Sequence, residues 1–311
     1  MRVVRLADAP DLTLAWDRFV TEHKHGTFFH ESAWLAYQRA YRAENIDASF
    51  AMLDTRGVVV AVAPLIVSKG DGGSPEFSFS GSPTPRVLFH ARDGICQPPG
   101  LLGAIEDWRR RVAATYGVGR GVFGSWAMDD DGPAESPVTQ RVINLLDSEA
   151  MLWRDVRKSY KALIHRGERE VKILTSFDNV YAFRQYEALH RDIYSHPRPD
   201  ATYQMQRAWV TAQRAYVIVA EDVYGHTVGA ALWYVWKDSA YYASGAYAED
   251  DIAHAVVWRS LLALKARGVT SVVMAWRGLE RTEKERNVTY FKIGFGGADV
   301  PVAVAEVAYG G

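Results

Sequence analysis

A single cysteine, Cys96, in 311 residues leaves no partner for a disulfide within the chain, and a lone thiol suits a reducing compartment. Long apolar runs are missing too. The longest, VVVAVAPLIV at 58–67, is about half of what a bilayer span needs and is broken by Pro64, so it predicts a buried strand. The start, MRVVRLADAPDLTLAW, has no apolar stretch leading to small residues, so no secretory leader is expected and the expected location is the cytoplasm. Charge of one sign is also lacking. A net charge of −1 removes any bulk-charge argument for a nucleic-acid-coating or membrane-surface protein, and basic patches must be local. No G-x-S-x-G elbow occurs, and no Cys–His arrangement suggests a covalent nucleophile. His23, His25 and His30 in HKHGTFFH have only Glu22 and Glu31 near them, which completes no familiar ligand set, so no metal is expected.

What is present is the balance of an ordinary globular protein, 48% hydrophobic and 23% charged. The length exceeds what one core usually supports and suggests two domains of about 150 residues. Two hairpin patterns, FAMLDTRGVVVAVAPLIV from Phe50 and YVIVAEDVYGHTVGAALWYV from Tyr216, place turn glycines Gly57 and Gly225 roughly half the chain apart. That spacing fits a duplicated domain, although any two hairpins share such a pattern.

In the second half the hairpin is followed by the strand SAYYASGAY and the helix AEDDIAHAVVWRSLLALKARG. Val257, Leu261 and Leu264 recur there at helical spacing, Arg259, Lys265 and Arg267 face solvent, and Gly268 is the stop. SVVMAW, a short helix and a last strand VAVAEVAY complete an α+β domain on one mixed sheet. The first half repeats this plan more loosely, from the amphipathic ESAWLAYQRAYRA to VGRGVFGSW. SKGDGGSPEFSFSGSPTP is expected to be a loop or flap, and MDDDGPAESP to precede the crossing, placed near residue 150 after RVINLLD. The expected domains are thus 1–150 and 151–311.

The octapeptide YFKIGFGG at 290–297 looks like a phosphate loop, but its glycines follow a helix and lead into a strand. A phosphate loop needs them before a helix, where free amides face the anion. TYFKIGF instead resembles the closing helix and turn of GNAT acyltransferases, and FK-x-GFGG after TEKERNVTY resembles the C-terminal signature of FemABX-type transferases, which are two GNAT-like domains in tandem. GTFFHESAW, VRKSYKALIHRG, YYASGAY and VVWRSLLALKARG resemble further motifs of that family, so the likeness extends over most of the chain. It implies an α+β fold of two GNAT-like domains, each a mixed, mostly antiparallel sheet flanked by helices.

The resemblance also implies a reaction in which an aminoacyl group passes from its tRNA ester to an amine. Lys292 then contributes charge at the reacting carbonyl, Tyr290 is a second proton donor, and Phe291 and Trp34 fall in substrate-contacting motifs. The bland alternative leaves Tyr290 and Phe291 as core aromatics and Lys292 as a solvated cap. On the helix from VRKSYKALIHRG, Arg157, Lys161 and His165 share a face with Lys158 beside them, forming a ridge for a phosphate or a tRNA acceptor stem or simply a solvated face. Arg198, between two prolines, suits a carboxylate or phosphate. Glu249 can take the proton of the attacking amine, or be an exposed turn acid. GNAT enzymes that use acetyl-CoA hold its pyrophosphate in a glycine-rich loop, whereas AEDDIAHA has no glycine and three acids. That disfavours CoA and leaves no cofactor expected beyond the aminoacyl-tRNA donor, with an acyl-CoA or carrier thioester as the alternative and a non-catalytic binding module as a third reading. Several family members that bind a nucleotide-linked peptide carry a Lys soon after the Trp, but here Arg39 is the first basic residue, which argues against a nucleotide-linked cell-wall precursor and leaves an amino sugar, a peptide or another cell-envelope or natural-product intermediate as the amine acceptor.

Overall fold

The computed structural model describes residues 1–70, 72–80, 82–89, 100–125, 137–176 and 180–309. Cys96 and all but the last residue of MDDDGPAESP lie outside them. The chain forms two compact units, Met1–Gly132 with Val302–Gly311, and Pro133–Pro301.

The first unit contains β1 (Arg2–Arg5), α1 (Thr13–Glu22), α2 (Ser32–Tyr41), β2 (Ile46–Asp47), β3 (Phe50–Leu53), β4 (Val59–Ala63), β5 (Ile66–Lys69), β6 (Pro75–Phe77), β7 (Thr84–Pro85), β8 (Leu88–Phe89), α3 (Leu101–Tyr116) and β9 (Arg120–Gly124). Its strands form two sheets around a core that includes Phe50, Met52, Leu65, Phe77, Leu101 and Ile105. The Gly/Pro-rich segment expected as a flap supplies β6 and β7, because the alternating EFSF within it buries Phe77 and Phe79 and lets the backbone pair with β5 and β9.

The second unit contains β10 (Thr139–Asn144), α4 (Glu149–Asp155), α5 (Lys158–Glu170), β11 (Lys172–Ser176), α6 (Val180–Ile193), α7 (Asp200–Thr211), β12 (Ala215–Glu221), β13 (Thr227–Trp236), β14 (Ser239–Tyr247), α8 (Asp250–Ala266), β15 (Ser271–Arg277), α9 (Glu283–Ile293) and β16 (Ala298–Pro301). One seven-stranded sheet runs β11-β12-β13-β14-β15-β10-β16. RVINLLD, expected to close the first domain, supplies β10 and pairs with β15 and β16, burying Ile143 and Leu145 in this core. VAVAEVAY, expected as the last strand of the second sheet, holds β17 (Val304–Ala308), which pairs with β9 in the first unit.

The two hairpins are built alike. Asp54 and Asp222 each accept backbone bonds on Oδ1, from Arg56 (2.8 Å) and Val58 (3.0 Å), and from Tyr224 (2.9 Å) and His226 (2.8 Å). Gly57 and Gly225 follow with φ of 81° and 83°, a conformation that costs other residues steric strain. The same Asp-x-x-Gly turn at equivalent places is what a duplicated ancestor would leave.

Helix α8 buries Val257, Leu261 and Leu264, while Arg259 and Arg267 are exposed. Lys265 is only partly at the surface, since its Nζ donates to the Leu145 carbonyl at 2.5 Å. The parallel strands joined by α8, β14 and β15, pair only from Ser239–Ser271 to Tyr241–Val273. Beyond that point the ladder stops, leaving the rest of β14 unpaired on that side.

Candidate functional site

Helix α9 buries none of its residues, so its position depends on its ends. Thr282 and Glu285 close a reciprocal capping box at the N-terminus. At the C-terminus, the amides of Gly294, Phe295 and Gly296 close onto Phe291 O, Lys292 O and Ile293 O, and the start of α5 adds further donors to this end of the helix. The Arg157 amide donates to Gly294 O at 2.8 Å, its guanidinium to Tyr290 O at 3.3 Å, and the Tyr160 hydroxyl to Phe291 O at 3.3 Å. Arg157 also donates to Tyr160 Oη at 3.0 Å and lies 3.9 Å from the Tyr290 ring centroid, a cation–π contact. Phe291 packs against Tyr160, His254 and Phe295.

This joint sets the position of Lys292. The residue is half-buried, and its ammonium lies over the Tyr242 ring, 4.6 Å from the centroid. No carboxylate or other hydrogen-bond acceptor among the described residues contacts it, and desolvation alone lowers its pKa to about 8. Tyr242 and Tyr247 share a hydroxyl–hydroxyl bond of 2.8 Å, and the Tyr194 hydroxyl donates to Gly245 O at 2.9 Å. The His190 ring lies 4.5 Å from Tyr194 and 5.5 Å from Tyr186, whose hydroxyl accepts from Arg198 at 3.1 Å. Lys292, four tyrosines, His190 and Arg198 thus lie along one side of β14, next to where its ladder with β15 ends.

The remaining sequence candidates lie elsewhere. Tyr290 is exposed, with the Arg157 guanidinium stacked on its ring and bonded to its carbonyl. Lys158 projects from the first turn of α5, and Lys161 donates to Arg154 O at 3.2 Å over the Trp153 ring, so the basic ridge is partly spent on holding α4. Glu249 stands exposed just before α8 and makes no contact with Lys292. Trp34 is buried in the first unit among Phe28, Phe29 and Tyr37. His30 is a neutral core histidine, its Nε2 donating to Arg86 O at 3.0 Å and its pKa driven down to about 3 by burial. Tyr242 and Tyr247, which sequence reasoning passed over, carried one signal, the loss of strict alternation in YYASGAY.

The start of α8 is covered by α5. Arg166 pairs with Asp251, Arg259 with Glu168 at 2.6 Å, and a Cβ on Gly167 would meet the Asp251 carbonyl at 2.7 Å and the Ala255 methyl at 2.9 Å.

No family model and no curated protein sequence matches the chain. Solved structures do. FemX superposes with a TM-score of 0.61 at 11% identity, over 99% of this chain and 97% of its own. A tandem GNAT protein from the clavulanic acid biosynthesis pathway gives 0.56 at 13%, over 100% and 99%. The chain has the tandem GNAT fold. L-PGS from Bacillus licheniformis shares it, with a TM-score of 0.52 at 13% identity over 95% of this chain and 90% of that one. Within this tandem GNAT fold the interrupted β14–β15 ladder and the Lys292–Tyr242 contact belong wholly to the second unit.

Proposed function

We propose that this tandem GNAT protein is an acyltransferase that moves an aminoacyl group from aminoacyl-tRNA to an amine on a small precursor, with Lys292 at the reacting carbonyl. The observation that carries the reading is an ammonium set against Tyr242 beside an interrupted sheet ladder, with no carboxylate among the described residues to neutralise it. Such a charge stabilises a developing oxyanion far better than an exposed one. In the reaction the amine nitrogen bonds to the ester carbonyl carbon, the carbon–ribose oxygen bond breaks, and the ribose oxygen ends with the proton the amine loses. With a pKa of about 8, Lys292 is largely charged at neutral pH yet close enough to it to share a proton with that departing oxygen.

The covering of α8 favours tRNA over CoA as donor. The first turn of α8, the place of the pyrophosphate in CoA-dependent GNAT enzymes, lies against Gly167 and carries the Arg166–Asp251 pair. A thioester donor is the second reading, favoured by the likeness to a tandem GNAT protein whose structure was solved "without AcCoA". Two labelled donors, a mixed aminoacyl-tRNA pool and acetyl-CoA, incubated with the enzyme and a small-molecule cell extract, separate the two. Label entering an amide only from tRNA, and lost after ribonuclease treatment, is the expected result. Label from acetyl-CoA that ignores ribonuclease would establish the thioester reading instead.

A further inference from the structure

In a regular strand, residues five apart face opposite ways, so Tyr242 and Tyr247 would lie on opposite sides of β14. They do not. The register of β14 against β13 steps from Ser244–Leu232 to Tyr242–Trp233, leaving Ala243 as an extra residue that returns Tyr242 to the face of Tyr247. Gly245, between them, has no side chain, and both hydroxyls occupy the space where its Cβ would project. Bulge and glycine together are what bring the hydroxyls to 2.8 Å.

Two hydroxyls joined by one bond use one of their two protons, and neither makes another hydrogen bond among the described residues. Lys292, against the ring of the same Tyr242, adds three N–H donors with no acceptor among the described residues. Burial raises the pKa of both phenols, so both keep their protons at working pH. The described surroundings are rich in donors and poor in acceptors. Such a group of donors is matched by an oxygen carrying negative charge.

We infer that the Tyr242–Tyr247 hydroxyl pair is a second donor to the acyl carbonyl oxygen, acting beside Lys292 on the oxyanion formed when the amine adds. The inference rests on the acyl-transfer reading above, and holds for an ester or a thioester donor because both pass through the same oxyanion. No proton leaves the pair.

The test measures amide formation from whichever labelled donor supports turnover, with the same extract supplying the acceptor, for Tyr242→Phe, Tyr247→Phe and the double variant. Phenylalanine keeps the ring under Lys292 and the packing volume. The double variant is expected to lose about 100-fold in kcat with donor KM unchanged, one single variant accounting for most of the loss. The pH–rate inflection of Lys292, near pH 8, stays in place because the ring remains. Gly245→Ala, which keeps both hydroxyls but drives a methyl into them, is expected to lose about tenfold. A double variant within threefold of the parent, while Lys292→Ala is crippled, would overturn the inference and leave the reading standing. Loss of rate accompanied by a moved inflection would also overturn it, since the pair would then act through the charge of Lys292. Full activity in Lys292→Ala would remove both the inference and the reading. Melting curves accompany each variant, and if the double variant is unfolded the single variants decide by the same criteria.

Discussion

Lys292 is where residue-level physics is most demanding. Desolvation holds its folded pKa at about 8 against an ordinary value of 10.5, so the folded state prefers the neutral amine. Below pH 8 both folded and unfolded forms are charged, and the folded protein bears the full cost of the desolvated ammonium. Between about 8 and 10.5 the unfolded chain binds more protons, so stability rises with pH across that window. Lys292→Met is therefore expected to stabilise the protein at pH 7, on the order of 2 kcal/mol, to flatten that rise, and to lower kcat by about 100-fold. Chemical denaturation at pH 7 and pH 10 with turnover on the same samples checks all three. A variant both less stable and fully active would show Lys292 to be a packing residue. The lysine was legible in the sequence through the FK-x-GFGG likeness. That no acidic partner reaches it among the described residues was not, because which side chains surround an ammonium depends on elements distant in the chain.

At the scale of elements, the joint between α5 and α9 changes the meaning of Arg157. From sequence it reads as part of a basic ridge for phosphate, whereas in the fold its guanidinium and amide hold Tyr290 O and Gly294 O. Removing it frees the end of a helix that has no fully buried residue. Arg157→Met is expected to reduce kcat by about 10- to 100-fold through displacement of Lys292, with a smaller change in donor KM. Tyr160→Phe, which deletes the hydroxyl on Phe291 O, moves in the same direction. Steady-state kinetics at two salt concentrations separate this from phosphate binding. An Arg157→Met whose defect lies in KM and deepens with salt would restore the phosphate role.

For the whole molecule, strand exchange decides which fragments can stand alone. β10 lies between β15 and β16, and among the described residues β16 pairs only with β10, so a piece starting at residue 151 loses the strand that completes its sheet. β17 pairs with β9, so the last ten residues belong to the other unit. A fragment of residues 133–301 is expected to unfold cooperatively in urea, and one of 151–311 to show no cooperative transition. Circular dichroism of the two compares them directly, and equal cooperativity would mean that β10 adds no more than an edge. Among the described residues no helix is long and apolar enough to cross a membrane.

The sequence by itself determined what depends on neighbours in the chain. Asp54–Gly57 and Asp222–Gly225 carry their turns in their own side chains and φ angles, α8 in the spacing of Val257, Leu261 and Leu264, and α9 in the Thr282–Glu285 box. The likeness of FK-x-GFGG placed Lys292 at the end of that helix. Which sheet β10 and β17 enter, that Arg157 grips α9, and that Tyr242 and Tyr247 meet over Gly245 are settled in the folded chain. Each of these depends on backbone register or on contacts between residues far apart in sequence, and a one-residue bulge reverses which face a side chain takes.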